Sequence, residues 1–271
     1  METQLSICAL RSSSKGNSVI VLNDKTKILV DCGISGKVLE SCLAERGISP
    51  SEIDAMVITH EHSDHIKGAG IFSRKYNIPV YANAATWKAM QGYIGSIQGE
   101  NIRTFITGNA FEVGGVAVKP FEIPHDAAEP VGFAFESGAG SVAVVTDIGT
   151  VTETMKRETK NCSAVMIEAN YDLNMLEIGR YPYALKQRIK SDSGHLCNDD
   201  AGAFACMLAR SGAKEIILGH LSAENNYPEL AYQTVKLALE TDGAIVGGDV
   251  KLYVMHRDET GIICSGKCVS A

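Results

Sequence analysis

The chain has 271 residues, of which 45% are hydrophobic and 21% are charged, a balance typical of globular proteins. Its net charge of -7 argues against a protein that coats nucleic acid through overall positive charge, and leaves only a local basic patch for that purpose. The N-terminal segment lacks the apolar core of a signal peptide, and no run of about 18 apolar residues follows. We therefore expect no membrane-spanning helix and a cytoplasmic location.

The first part of the chain shows short β-type runs separated by turns and followed by helical spacing. Strands are predicted over residues 5–10, 18–22, 27–31, 53–58 and 79–82, and helices over 36–46, 66–76 and from residue 84 onwards. The run 53–58 is almost continuously apolar, which is typical of a strand buried on both faces.

The middle of the chain is rich in strands, and the second half alternates strands with helices. Strands are predicted over residues 104–106, 110–113, 116–123, 131–137, 141–146, 164–168, 215–218 and 251–255, and helices over 151–159, 182–189, a segment through 210, and 228–240. Asn198 or Asp199 is predicted to cap the helix that ends at Arg210. Two β-rich sections with accompanying helices indicate two packed mixed sheets flanked by helices, a four-layer α/β sandwich.

The sequence shows no linker that would divide the chain into domains and no cysteine pattern that indicates disulfides. No segment rich in proline, serine or charge divides the chain, so residues 1–271 are predicted to form a single domain. The eight cysteines are scattered without a CxxC pair, which favours buried free thiols. The closest pair, Cys264 and Cys268, fits a zinc site or a disulfide less well than it fits free thiols.

Metal-ligating residue types are concentrated directly after the strand at 53–58. The segment His60-Glu61-His62-Ser63-Asp64-His65 places three imidazoles and two carboxylates within six positions. In an extended segment, residues two apart point to the same side, so His60 and His62 can share one metal ion. Asp64 and His65, at the turn into a helix, can serve a second ion. The alternative, a solvated polar loop, leaves the three histidines unexplained.

The same pattern of strand and then ligand recurs three more times. His125, Asp147 and His220 each follow a short apolar run. A carboxylate at the mouth of a buried strand is costly unless it is paired or metal-bound, and the two oxygens of Asp147 can bridge two cations. Each of these residues is a weak signal alone, but together with the first cluster they indicate a dinuclear centre of zinc, manganese or iron.

This set of motifs resembles the metallo-β-lactamase fold hydrolases. The resemblance rests on His60-x-His62-x-Asp64-His65 followed in order by His125, Asp147 and His220. It implies an αβ/βα sandwich and two divalent metal ions per chain. It also implies that His60, His62 and His125 bind the first ion, that Asp64, His65 and His220 bind the second, and that Asp147 bridges them.

Longer segments resemble the YycJ/WalJ branch of that family, which is related to the β-CASP nucleases and associated with DNA cleavage. The segments are RYPYALKQRIKSDSGHLCNDDAG, GHLSAENN and PHDAAEP. Asp147 and His220 are only 73 positions apart, which leaves no room for the domain that β-CASP nucleases insert there. The resemblance implies an open site, nucleic acid as substrate with DNA favoured, and no obligatory protein partner.

Several further residues are candidates to contact the substrate or to orient the metal ligands. His195 precedes a helix start, where free N–H groups favour anions, so it is predicted to contact a phosphate and act in catalysis together with Asp64. The alternative is a histidine that only caps or packs against its helix. Asp31 and Glu168 each end an apolar strand and are candidates to orient a ligand histidine through its second nitrogen. For both carboxylates, a purely structural hydrogen bond is an equal alternative.

Two stretches are candidate phosphate contacts. Ser13 and Asn17 lie in SSSKGNS, whose backbone N–H groups could face an anion, although an ordinary hairpin turn explains the stretch equally well. Arg180, Lys186 and Arg188 lie in a basic run with two tyrosines, next to His195 in sequence. Such a run either contacts a phosphate backbone or forms a solvated helix face.

Taken together, these features predict a dinuclear metal hydrolase that cleaves nucleic-acid phosphodiesters, resembling a 5′ exonuclease. A hydrolase of acyl thioesters, lactones or other small esters could use the same metals and stays open as the alternative. The redox di-iron relatives carry glutamate where this chain has His62, which argues against that class. No ligand is missing, which argues against a binding module with a dead site.

Overall fold

Two mixed β-sheets form the centre of the computed structural model, which describes residues 4–138, 140–256, 259–261 and 264. The first sheet has the order β1-β2-β3-β4-β5-β6: β1 (Ser6–Arg11), β2 (Ser18–Leu22), β3 (Lys27–Val30), β4 (Ala55–Val57), β5 (Val80–Asn83) and β6 (Ile102–Phe105). The second has the order β13-β12-β11-β10-β9-β8-β7: β7 (Phe111–Val113), β8 (Val116–Glu122), β9 (Val131–Ser137), β10 (Gly140–Val145), β11 (Ala164–Glu168), β12 (Glu215–Gly219) and β13 (Lys251–Val254). In both, antiparallel strands lie at one side and parallel strands at the other.

Helices connect the strands in both halves of the chain. They are α1 (Gly36–Glu45), α2 (Ser63–Ile66), α3 (Ala69–Tyr76), α4 (Ala84–Met90), α5 (Glu153–Glu158), α6 (Leu173–Ile178), α7 (Tyr183–Ile189), α8 (Asn198–Arg210) and α9 (Pro228–Thr241), with short 3₁₀ turns at Pro50–Glu52 and Gly99–Asn101. None of the helices in the described part of the chain combines the length and hydrophobicity needed to cross a bilayer.

Alternating side chains of the strands fill three apolar layers. In β1, Ile7 and Ala9 join the cluster between the two sheets, whereas Cys8 and Leu10 pack with α1 and α3 on the outer face. The second sheet behaves likewise, because its outward-facing side chains pack with α5, α8 and α9. Successive residues of a strand point to opposite faces, so strands covered on both faces must be apolar throughout. This confirms the predicted four-layer sandwich of two mixed sheets flanked by helices.

Aromatic rings anchor the layer between the sheets. Phe133 and Phe135 are fully buried, and the ring centroid of Phe133 lies 5.8 Å from that of Phe105 in an edge-on arrangement. Full burial of such a side chain contributes about 1.5–3 kcal/mol. These contacts cross from β6 to β9, so they hold the two sheets against each other.

The carboxyl ends of parallel strands from both sheets meet at one edge of the sandwich. Strands β3 and β4 run parallel in the first sheet, and β10, β11 and β12 run parallel in the second. The backbone N–H of Val131 donates to the carbonyl of Thr59 at 3.0 Å, and the Asn83 side chain donates to the carbonyl of Glu129 at 2.7 Å, which ties the sheets together there. Open α/β sheets bind ligands at such an edge.

Most predicted elements are present with shifted ends. The helix predicted over residues 66–76 is observed as α3, which begins three residues later, after the separate short helix α2 and a turn at Lys67 and Gly68. A Cβ at Gly68 would lie 2.2 Å from the carbonyl oxygen of Ile34, so the chain turns there while it packs closely on the β3–α1 loop. Helix α6 was not predicted, because its short run of mixed residues carries little periodic signal.

The predicted cap of α8 is also wrong. The N-cap is Cys197, whose thiol accepts a hydrogen bond from the N–H of Asp200, and neither Asn198 nor Asp199 serves. The Asn198 side chain is instead buried and exchanges hydrogen bonds with that of Asn226 at 3.1 and 2.8 Å. The cysteines within the described residues are buried and free, as predicted, while Cys268 lies outside those residues.

Candidate metal centre

The seven predicted ligands lie together at the carboxyl edge of the two sheets. They come from the loop after β4 (His60, His62) and the short helix α2 that follows it (Asp64, His65), from the loop after β8 (His125), and from the turns just after β10 (Asp147) and β12 (His220). Each follows a strand buried in the core, so the position of its backbone is fixed by the sheet and not by a mobile loop.

The side chains form overlapping groups that could each hold a cation. Ligand atoms of His60, His62 and His125 lie within 4.8 Å of one another, as do those of Asp64, His65 and His220. Nε2 of His125 is 3.3 Å from Nδ1 of His62 in the first group. In the second, Oδ2 of Asp64 lies 3.5 Å from Nε2 of His65 and 3.7 Å from Nε2 of His220.

Asp147 lies between the two groups. Its Oδ2 is 3.2 Å from Nε2 of His65, and its Oδ1 is 3.3 Å from Nδ1 of His220 and 3.8 Å from Nε2 of His125. It also shares a compact group with His60 and His65. A single carboxylate is therefore within reach of imidazoles from both halves of the site, which is the placement that a bridging ligand needs.

Hydrogen bonds to one ring nitrogen fix the orientation of four imidazoles. Nδ1 of His65 faces Asp31 Oδ2 at 2.8 Å, and Nδ1 of His220 faces Glu168 Oε1 at 2.7 Å. Nδ1 of His125 faces the carbonyl oxygen of Gly194 at 3.2 Å. Carbonyl and carboxylate oxygens only accept, so these Nδ1 atoms carry a proton, and Nε2 of each ring is the atom left to bind a cation.

The fourth imidazole is held by Thr59, which the sequence did not single out. Its hydroxyl donates to Asp31 Oδ2 at 2.8 Å and therefore accepts from Nδ1 of His60 at 2.9 Å. Asp31 Oδ1 also accepts from the N–H of Thr59 at 2.8 Å. Asp31 thus orients His65 directly and His60 through Thr59, as carboxylates behind metal ligands commonly do.

The polar atoms that remain suit bound cations. Nε2 of His60 and Nε2 of His220 are buried and have no hydrogen-bond partner among the described residues. An unsatisfied buried polar atom costs about 1–3 kcal/mol, so two of them in one cluster of imidazoles and carboxylates are best explained by a ligand that they bind. Nitrogen and carboxylate donors in this mixture fit divalent transition-metal ions.

Electrostatics in the cluster favour the protonation states that metal binding requires at four positions, because the pKa values of Asp64, Asp147, His60 and His125 all lie below their ordinary values. Burial opposes ionisation of Asp147, but the imidazoles of His220 and His65 hold its pKa well below its ordinary value. Burial, together with the neighbouring His65, holds the pKa of His60 well below its ordinary value and so keeps that imidazole neutral. A ligand carboxylate must be ionised and a ligand imidazole must be neutral. At His65 and His220 the opposite holds, because the neighbouring carboxylates, Asp147 foremost, outweigh burial and raise the pKa well above its ordinary value, so a cation must displace a proton there.

Backbone strain is concentrated at this edge of the fold. Asp31, Asp147 and His220 have positive φ values of 59°, 59° and 53°. This left-handed conformation is uncommon for residues other than glycine, and such strain persists where the surroundings enforce it. In each case the chain turns sharply at the end of a strand, which directs the side chain into the cluster.

Glu168 and His195 form a pair at the rim of the cluster. Oε1 of Glu168 accepts from Nδ1 of His195 at 2.9 Å as well as from Nδ1 of His220, while Oε2 accepts from the N–H of Ile148 at 2.8 Å. Burial opposes protonation of His195, but the Glu168 carboxylate raises its pKa above the ordinary value. Nε2 of His195 is left free beside a pocket of about 170 Å³, which Tyr181 and Arg188 also line.

The other predicted substrate contacts have varied surroundings. Asn17 is buried, with its amide nitrogen 3.2 Å from Asp64 Oδ2 and 3.1 Å from His65 Nε2, so it packs against the cluster. The N–H of Ser13 donates to Asn17 Oδ1 at 3.1 Å. Two residues not predicted from sequence support His220: Ser12 accepts from its N–H at 2.7 Å, and Asn170 donates to its carbonyl at 2.8 Å.

The basic run carries less free charge than its sequence suggests. Arg188 is ion-paired with Asp126 at 2.6 Å. Lys190 is ion-paired with Glu177, and Lys186 donates to the carbonyl of Glu177 at 2.6 Å. Arg180 is exposed. The helix α7 therefore lies beside His195 as a partly neutralised surface.

The four-layer fold and the cluster at its edge define the class of the metallo-β-lactamase fold. The profile of the family described as "Beta-lactamase superfamily domain" matches residues 26–221. The fold is similar to that of the metallo-β-lactamase fold protein YhfI from Bacillus subtilis, with a TM-score of 0.70, 15% identity, and coverage of 96% of this chain and 98% of that one. The chain belongs to the β-lactamase superfamily, as its motifs predicted.

Two curated relatives match almost the whole chain. "Exodeoxyribonuclease YycJ" of Bacillus anthracis is 42% identical over 249 residues, which cover 92% of this chain and 94% of the relative. "Exodeoxyribonuclease WalJ" of Streptococcus pneumoniae serotype 2 (strain D39) is 41% identical over 251 residues, which cover 92% and 93%. The branch recognised from the sequence motifs is therefore confirmed.

The contacts of Asp31 generate a test of its orienting role. In Asp31→Asn the amide nitrogen must replace either Oδ1, where it faces the backbone N–H of Thr59, or Oδ2, where it faces both the Thr59 hydroxyl and the His65 Nδ1–H, so at least one hydrogen bond is lost. We expect the affinity for zinc to fall by about 10–100-fold, measured by competition with a chromophoric chelator. Asp54→Asn, an exposed position at the amino end of β4, is the matched control. Unchanged affinity in Asp31→Asn would assign Asp31 a purely structural hydrogen bond.

Proposed function

We propose that this protein is a metal-dependent phosphodiesterase that degrades DNA as an exonuclease. The observation that carries the proposal is the convergence of seven ligand-type side chains, two of them with unpartnered buried nitrogens, beside the free Nε2 of His195. Relatives named exodeoxyribonucleases that are 41–42% identical over 92% of the chain support the choice of DNA.

The donor set supports two divalent ions per chain, either zinc, manganese or iron. His60, His62 and His125 would hold one and Asp64, His65 and His220 the other, with Asp147 shared between them. When bound, such cations lower the pKa of a water molecule and offset negative charge on the phosphoryl oxygens. Asp31, Thr59 and Glu168 keep the Nε2 atoms of His65, His60 and His220 directed at the centre, so the ligands need no rearrangement on binding.

Two side chains are placed to handle protons and phosphate. Asp64 is partly exposed, with Oδ2 held by the Asn17 amide, so it can position the attacking water and accept its proton. His195 is held through Nδ1 by Glu168, so its Nε2 can contact the scissile phosphate and donate a proton to the leaving oxygen. Ser13, Arg180, Lys186 and Arg188 remain predicted contacts to the rest of the substrate.

Hydrolysis of acyl thioesters or lactones is the second candidate, because it uses the same donor set. The imidazole of His195, whose pKa is raised, and the ring of Tyr181 in the same small pocket favour a phosphodiester with a nucleoside attached, since a base stacks on an aromatic ring and the imidazole faces the phosphate.

The number of ions is tested by elemental analysis. Protein saturated with zinc or manganese and then desalted should retain about two ions per chain, the number that a dinuclear phosphodiesterase centre requires. Asp147→Asn should lose at least one, because the shared carboxylate charge is removed. Asp249→Asn, an exposed control, should retain both. A ratio near zero for the saturated protein, or full retention in Asp147→Asn, would overturn the assignment.

The substrate class is tested by direct competition. Purified protein with manganese or zinc is offered end-labelled single-stranded DNA, RNA of the same sequence, and a generic thioester. We expect mononucleotide release from DNA, with turnover falling as salt rises because lysine and arginine contacts release counterions. Faster turnover of the thioester than of either oligonucleotide would instead establish the ester hydrolase.

His195 is tested separately from the metals. His195→Ala should keep both ions and the fold but lose about 10²–10⁴ in turnover, the usual contribution of a positioned acid–base group. The loss should shrink for a 4-nitrophenyl phosphodiester, whose leaving group needs no proton. His256→Ala, at an exposed histidine, should behave as wild type. Loss of an ion would make His195 a ligand, and unchanged turnover would show that it only packs.

A further inference from the structure

A second depression opens on the opposite side of the Ser12–Gly16 loop from the His195 pocket. It has a volume of about 330 Å³, and its lining includes Arg11, Lys15 and Lys67 but no carboxylate. Ser14 lines the His195 pocket, whereas Ser13 and Lys15 line this one, so a single loop separates the two. We call it the cationic groove.

The charges of the cationic groove are free, in contrast to those of α7. Lys15 and Lys67 are exposed, and neither of them forms an ion pair with any described residue. Among the described residues, Arg11 donates to neutral groups, the carbonyl of Leu10 at 2.7 Å and the hydroxyl of Thr260 at 2.9 Å. In a chain with a net charge of -7, three cations that line one depression and form no ion pair with a described residue make a local site for anions.

The floor of the cationic groove is hydrogen-bonded to the metal-ligand loop. The N–H of Asn17 donates to the carbonyl of Asp64, and the N–H of Gly33 donates to the carbonyl of Asn17, both at 2.8 Å. The N–H of Cys32 donates to the carbonyl of His65, also at 2.8 Å. Lys67 follows His65 by two positions at the end of α2. The backbone from which Lys15 and Lys67 project is therefore tied to the segment that carries Asp64 and His65.

Glycine at position 33 makes this close packing possible. A Cβ there would lie 1.5 Å from the carbonyl oxygen of Asp64, so no other residue fits without moving the loop. The wall beside it is the start of α1, where Ser35 accepts from the N–H of Val38 at 3.4 Å. The positive end of the α1 dipole adds to the charge of the lysines.

We propose that the cationic groove binds the phosphodiester backbone of the DNA strand that remains attached to the scissile bond. The inference rests on the proposed nuclease function and deepens it. The terminal nucleotide would occupy the pocket beside His195, and the rest of the strand would pass the metal centre and continue over Lys15 and Lys67. Contacts of this kind neutralise phosphates and carry no sequence preference. Efficient cleavage therefore requires a strand several nucleotides long.

The test compares a long and a short substrate in one double variant. Lys15→Ala/Lys67→Ala removes two exposed side chains, and Arg11 is left in place because of its hydrogen bonds. For single-stranded DNA of about 20 nucleotides, kcat/KM should fall by about 10-fold or more, and its salt dependence should weaken by about 0.7 in log–log slope for each lost phosphate contact. Bis(4-nitrophenyl) phosphate is too short to reach the groove, so its kcat/KM serves as the reference. The readout is the ratio of kcat/KM for the oligonucleotide to kcat/KM for bis(4-nitrophenyl) phosphate.

The matched control removes the same charge elsewhere. Lys25→Ala/Lys160→Ala changes two exposed lysines, one in the turn between β2 and β3 and one before β11, both at the amino edge of the parallel strands. It should leave the ratio unchanged. An unchanged ratio in Lys15→Ala/Lys67→Ala, or an equal loss on both substrates, overturns the groove while leaving the nuclease function intact. If the wild-type protein cleaves no DNA at all, the nuclease function fails and the groove with it.

Discussion

The arrangement of the centre depends on buried carboxylates that accept hydrogen bonds from the imidazoles. These bonds are made by Nδ1, on the side of each ring that faces away from the candidate metal site. Asp31 and Glu168 are almost inaccessible to solvent, and each accepts more than one hydrogen bond. Burying an ionised carboxylate is expensive unless donors compensate for it. The donors here are the Nδ1–H groups of His65, His195 and His220 and nearby backbone N–H groups. The same interaction therefore stabilises the carboxylates and fixes which nitrogen each imidazole presents.

The two-sheet sandwich makes this interaction possible by bringing equivalent strand ends together. Asp31 follows β3 in the first sheet and Glu168 ends β11 in the second. Each carboxylate orients ligands supplied by its own sheet, and Asp147 lies where the two sets meet. Because the hydrophobic layer between the sheets fixes their separation, packing in the core sets the distances within the site.

The surface around the centre is divided by the Ser12–Gly16 loop. On one side, α7 and His195 form a small pocket with largely paired charges. On the other side, Arg11, Lys15 and Lys67 line the groove together with Gly33, which packs on the carbonyl of Asp64. A substrate with a compact terminal nucleotide and a long anionic tail matches this asymmetry, whereas a small neutral ester matches only one half of it.

The family, and the gathering of these ligand-type side chains in one cluster, could be predicted from the sequence because several informative residues stand close together. Three histidines and an aspartate within six positions after an apolar strand are rarely accidental, and strand alternation reports burial on both faces. Elements with long periodic patterns were predicted well for the same reason. By contrast, Gly68 packs closely on Ile34, more than thirty positions away in the chain, and local spacing does not report such a contact.

Only the tertiary structure decided the contacts made across the two sheets. The sequence offered Glu168 as an orienting residue but not its double contact with His195 and His220, which lie 27 and 52 positions away. It did not indicate Thr59, Ser12 or Asn170, because a hydroxyl or amide signals nothing until a partner is beside it. It also favoured the basic run near Lys186 as the contact to a phosphate backbone. Folding instead places acidic side chains beside that run and leaves Lys15 and Lys67 without an ion-pair partner among the described residues. The positions of charged residues can be read from the sequence, but which of them form ion pairs depends on which surfaces the fold brings together.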